Sequence, residues 1–130
     1  MAALSDHAEA LLLDYLMTTD AVTRPTNWYV ALFTSAPSDS GGGTEVSTGG
    51  YARQSVTFAS ATSPGGTTSN SGAVSFTASG ASYGTVTHVG IFDASTAGNL
   101  LWHGAMTASK TVEDGDTLEF SAGNIDLTLA

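Results

Sequence analysis

Residues Trp28 to Thr34 read Trp-Tyr-Val-Ala-Leu-Phe-Thr, an aromatic and branched run with no turn former inside it. Such residues favour extended backbone, where successive side chains point to opposite faces. Trp28, Val30 and Leu32 then share one face, and Tyr29, Ala31 and Phe33 share the other. Both faces are apolar. A strand of this kind lies between a sheet partner and another layer, and the layer called for is an amphipathic helix or a neighbouring subunit.

Downstream of this strand, further extended segments are predicted at Arg53 to Phe58, Ala73 to Phe76, Val86 to Phe92, Leu100 to Ala105, Thr117 to Phe120 and Ile125 to Leu129. Turn formers punctuate them: Ser63-Pro64-Gly65-Gly66, Ser79-Gly80, Ala97-Gly98-Asn99, Asp114-Gly115 and Ala122-Gly123-Asn124. Short strands with turn chemistry at regular intervals read as an antiparallel β-sandwich, jelly-roll-like or an open barrel. Ala36 to Gly50, with Pro37 and the run Gly41-Gly42-Gly43, reads as a long irregular loop of the functional or mobile kind.

Upstream, one N-terminal amphipathic helix is predicted over about residues 6–18. Ser5 and Asp6 are good caps, and Glu9 follows Asp6 at capping-box spacing. Leu4, Ala8, Leu11, Leu12, Tyr15 and Leu16 would form the buried stripe. Arg24-Pro25 prevents continuation, because the residue before proline is pushed out of the α region. The whole is expected to be a single domain, 1–130, mainly β, with the helix first and the sandwich over about 27–130.

Composition agrees with this class. Of 130 residues, 42% are apolar and only 12% charged, and 19 Thr, 16 Ser and 15 Gly fill the difference. These types favour turns and strands, so an all-helical bundle is excluded. Twelve acids against Arg24, Arg53 and Lys110 give a net charge of −9, which repels a phosphate backbone and argues against direct nucleic-acid binding. The N-terminal stretch has no basic region before its leucines, and no apolar run reaches the length of a membrane span. The expectation is synthesis in the cytosol with no export signal and no membrane insertion. With no cysteine, disulfides, thiolate nucleophiles and cysteine metal sites are absent.

The remaining residue types yield no catalytic constellation. His7, His88 and His103 show no metal-ligand spacing, and the latter two read as hydrogen-bonded strand histidines. No Gly-x-Ser-x-Gly elbow occurs. Glu113-Asp114-Gly115-Asp116 lacks the calcium-loop pattern and reads as a hairpin turn; the glycine run at 41 to 43 is not followed by Lys-Ser/Thr. No catalytic residue, metal or cofactor is therefore expected, and the chain is not expected to be an enzyme. Arg53 stands out as a guanidinium among acids, fit to hold a carboxylate in a subunit contact or an ordinary surface pair. Trp28, Tyr29, Tyr51, Tyr83 and Trp102 read as core, with a subunit interface or a sugar platform as the alternatives.

The strings WYVALFTSAP, TEVSTGGYARQSVTF, VTHVGIFDA, GNLLWHG, VEDGDTLEF and IDLTL together resemble the small virion proteins of tailed bacteriophages commonly labelled tail-fibre proteins. The likeness runs from about Leu11 to Leu129, and Tyr51 to Gln54 with His88 to Asp93 are its most specific parts. It implies a virion structural protein and brings no catalytic residue. The short, acidic, self-contained chain points within that class to a capsid decoration (cement) protein, an oligomer, expected to be a homotrimer, that binds the major capsid protein on the capsid exterior after assembly in the host cytoplasm. The alternative is a tail-fibre or tail-tip component contacting the host surface and other tail proteins; a third class is an enzyme acting on cell-wall or capsule polysaccharide. Leu11, Leu12, Tyr15, Trp28, Tyr29, Phe33, Tyr51 and Arg53 are the candidate interface residues.

Overall fold

In a computed structural model, residues 2–129 are described. The elements in chain order are β1 (Ala2–Leu4), α1 (Asp6–Met17), β2 (Trp28–Ser35), β3 (Thr44–Glu45), β4 (Gln54–Val56), β5 (Thr67–Ser69), β6 (Val74–Thr77), β7 (Gly84–Phe92), β8 (Leu100–Val112), β9 (Thr117–Phe120) and β10 (Asp126–Thr128). The protein is mainly β, its strand pairs are antiparallel, and it has one N-terminal helix.

The aromatic and branched run forms β2 as its alternation requires, and β2 lies inside a six-stranded sheet of order β1-β8-β7-β2-β3. On one side β2 pairs with β7, Val30 opposite Ile91 and Phe33 opposite His88. Two short strands share its other side: β4 along Trp28 to Val30, and β3 along Phe33 to Ser35. The second layer consists of two ribbons, β6 with β9 and β5 with β10. Between the layers lies the core, in which Val30, Leu32, Val86, Ile91 and Val112 of the large sheet join Val74, Phe76, Leu118, Ile125 and Val56.

The other face of β2 is buried as well: Ala31 and Phe33 are inaccessible, and Phe33 stacks on Phe92 with ring centroids 6.3 Å apart. Gly90 allows this packing, because a Cβ there would lie 3.0 Å from both Leu100 Cδ1 and Phe33 Cε2. The cover on this face is small. Helix α1 approaches β1 and β8 and buries only Ala8 among its own residues.

The helix therefore corrects one expectation. Leu11 and Leu12 are half-buried, but Tyr15 and Leu16 are 67% and 68% exposed, so the predicted stripe is covered only in its first half. The reason lies at the start of the chain. β1 adds to β8, with Ala3 opposite His103, and fixes the point from which the helix departs. Ser5 is the N-cap, not Asp6: its Oγ accepts from the Ala8 N–H at 3.1 Å and donates to the Leu100 carbonyl. Anchored at that end, the helix carries its C-terminal turn away from the sheet.

Three further differences concern strands. The loop Ala36 to Gly50 contains β3, with a tight turn in which Ser38 and Gly41 exchange backbone hydrogen bonds. Strand β8 runs on to Val112, carrying a wide bulge in which Met106 to Ser109 stand opposite Thr87. The acidic turn is not a hairpin; it passes the chain from β8 in the large sheet to β9 in the second layer. Asp116 N–H donates to the Glu113 carbonyl at 2.9 Å, Gly115 takes φ +89°, and the Asp114 carboxylate accepts from Gly80 N–H at 2.9 Å.

Gly49 has φ +66°, and a Cβ there would fall 2.5 Å from the Ala81 carbonyl oxygen. Gly49→Ala is expected to cost about 1–3 kcal/mol of stability through left-handed strain and that clash. Urea unfolding should show a lower midpoint at an unchanged slope. Gly72→Ala, where the added Cβ meets open space, should leave the midpoint in place.

Candidate functional site

Because β3 and β4 end on either side of Leu32, the Leu32 peptide faces a gap in the ladder on that edge of β2. A buried N–H left in such a gap would cost stability. The Leu32 carbonyl accepts from Val46 N–H at 2.9 Å, and its N–H donates to the Tyr51 hydroxyl at 3.0 Å. Tyr51 reaches this place with its ring in the core, stacked on Phe76 and edge-on to Tyr83.

The Tyr51 hydroxyl in turn donates to Glu45 Oε2 at 2.7 Å. Arg53 grips the same carboxylate with both arms of its fork, Nε to Oε2 and Nη2 to Oε1, each at 2.9 Å. Its Nη1 donates to the carbonyls of Ala94 and Ala97 at 3.0 and 2.8 Å, and the guanidinium lies 3.6 Å over the Phe92 ring. Burial alone would raise the Glu45 carboxyl, but hydrogen bonds from Arg53 and Tyr51 and the guanidinium's charge hold it below the ordinary value. Burial, then the hydrogen bond to Glu45, push the Tyr51 phenol far above its usual range. The cluster joins four segments of chain.

The loop that Arg53 holds is closed by Asp93, whose carboxylate accepts from Asn99 N–H at 2.7 Å and from Asn99 Nδ2 at 2.9 Å. Partial burial raises the Asp93 carboxyl, and the Asn99 hydrogen bonds outweigh it, with help from His7, so the group is lowered overall. His103 Nε2 meets Asp39 Oδ1 at 2.7 Å, and His88 Nδ1 meets Thr87 Oγ1 at 2.8 Å, so both strand histidines are hydrogen-bonded. Among the described residues no group of three or more His, Asp or Glu side chains converges as metal ligands would. A surface groove of about 640 Å³ runs between the β8 bulge and β9, lined by Met106, Leu118, Phe120 and Ile125 with Glu119 and Asp126.

The eight candidate interface residues are divided by the structure. Phe33 is buried, and Tyr51 and Arg53 meet in the cluster just described, where Arg53 is engaged within its own chain. Trp28, Tyr29, Leu11 and Leu12 are half-buried, and Tyr15 is exposed. The exposed apolar surface of the helix comprises Tyr15 and Leu16, which the sequence placed in the buried stripe, and Leu13 and Met17, which sequence reasoning passed over, at 62% and 77% exposure. A signal for them existed. Leu11, Leu12 and Leu13 cannot all face one side of a helix, and Leu13 and Met17, four residues apart, share a face away from Leu11, with Leu16 between that face and Leu12.

Arg53→Ala should destabilise the fold by about 3 kcal/mol, the scale for leaving one member of a largely buried ion pair unpaired. Arg53→Lys should recover only part, because an ammonium cannot span both carboxylate oxygens and both loop carbonyls. The lowered Glu45 carboxyl gives a contribution fully present above its ordinary value of 4.5 and lost as pH falls through the depressed one. The stability gap between the natural chain and Glu45→Gln, followed by urea unfolding, should accordingly be widest near neutrality and close on acidification.

No curated protein matches the chain. A family does: the podophage GP4 fiber I protein gp80 matches over residues 3–128, from β1 through β10. The match includes Tyr51 to Gln54 and His88 to Asp93, and the fold brings those two strings together where Arg53 lies on Phe92. With nearly the whole length matched and the fold continuous across it, the chain belongs to the family of the podophage GP4 fiber I protein gp80, a phage fibre protein family.

Proposed function

We propose that the protein is a structural component of the phage particle, a fibre-type part that works by assembly and transforms no other molecule. The family supports the particle and favours the tail over the head. The observation that carries assembly is the C-terminal half of α1, where Leu13, Tyr15, Leu16 and Met17 stand bare on a body whose buried side-chain polar atoms are all partnered among the described residues. Exposed apolar clusters of this kind mark contacts with other macromolecules. Assembly takes place in the host cytoplasm, and the working unit is a homotrimer, whose several equivalent feet give avidity beyond that of one contact.

Head decoration is the second reading, favoured by the net charge of −9, which suits an outer surface away from packaged DNA. Copy number separates the two. Quantitative mass spectrometry of purified particles should find tens of copies, fixed by the few symmetric positions of a tail. Hundreds of copies would place the protein on the head lattice, and its absence from particles would overturn both readings.

A further inference from the structure

We infer that the exposed end of α1 is an anchor that seats in an apolar groove rimmed by lysine or arginine on a different protein of the particle, and not against a second copy of this chain. The inference rests on the assembly reading above and names the partner of that surface. Its apolar part is Leu13, Leu16 and Met17, recurring at i, i+3, i+4, all exposed. From Asp6 to Asp20 every formally charged side chain is acidic. Glu9 precedes Leu13 by one turn, Asp14 follows it, Asp20 lies just beyond the helix, and the last turn holds no basic residue. The helix C-terminus adds the negative end of its dipole to these carboxylates.

A second copy would complement this surface poorly. The chain carries three cationic side chains, and Arg53 is held by Glu45 and two loop carbonyls; two helices meeting about a two-fold axis at Leu13 and Leu16 would set Asp14 against its equivalent and bring no cation to either helix end. Arg24 and Lys110 are separate single charges against twelve acids. An apolar seat with a cationic rim satisfies both parts, burying the side chains and placing positive charge at the dipole's negative end.

The test uses phage particles made with the full-length chain. Burying one leucine side chain is worth about 1.5–3 kcal/mol, so Leu16→Glu should lower the amount retained on purified particles about tenfold or more. Glu9→Lys should lower it a few-fold while every apolar residue stays in place. Ser109→Glu, on the β8 bulge, should leave it unchanged. Light scattering on the purified variants should show the same mass as the natural chain, with circular dichroism confirming the fold. A photo-reactive amino acid at position 17 should cross-link to a different virion protein through a peptide containing Lys or Arg. Unchanged retention of Leu16→Glu, a cross-link to a second copy, or a change of oligomeric mass with Leu16→Glu would overturn the inference while leaving the assembly reading intact. Absence of the natural chain from particles would instead remove that reading.

Discussion

The Leu32 amide lies on the strand around which both layers pack, at a point where neither neighbouring short strand reaches it. The Tyr51 hydroxyl supplies the missing acceptor, and the Glu45 carboxylate fixes that hydroxyl while Arg53 fixes the carboxylate. Taking a carboxylate and a guanidinium largely out of water is unfavourable in itself. Here each is matched: bidentate pairing for the acid, and two loop carbonyls and an aromatic face for the base. The result ties β2, β3, the Tyr51 to Arg53 segment and the Asp93 to Asn99 loop into one unit. The same guanidinium covers Phe92, on which Phe33 stacks.

Much of this framework was legible in the residues. The double-faced alternation at Trp28 to Phe33, the strands around Val74, Val86 and Leu118, and the helix at Asp6 follow from period and punctuation. The rest depends on contacts distant in sequence. Ala2 to Leu4 has no turn signal to announce it as a strand, and it becomes one only because β8 offers an edge. The bulges at Thr87 and beside Leu100 shift side-chain phase, so Val86 faces the core while His88 pairs with Phe33 on the other face. Arg53 was visible as a fork seeking a carboxylate, but its partner lies eight positions back and its carbonyls more than forty ahead. The helix stripe was read from periodicity alone, which does not say how far along its length the sheet extends beneath it.

That last point connects structure to function. The edge amide, the largely buried ion pair and the core aromatics are satisfied within the fold. Most of the exposed large apolar side chains lie in one place, the C-terminal half of α1, where the charged side chains are acidic. An exposed apolar helix end suits a part that is fitted into a larger particle, as expected of a fibre family, and its acidic surroundings suit a cationic seat.

The most direct measurement is amide hydrogen exchange on the free protein and on the same protein in purified particles, compared peptide by peptide. The account predicts new protection confined to the second half of α1 and the residues just after it, while peptides holding Leu32 and the Tyr51 to Arg53 segment are equally protected in both states. Unchanged exchange in the helix, with protection appearing on the β8 bulge or elsewhere, would contradict it.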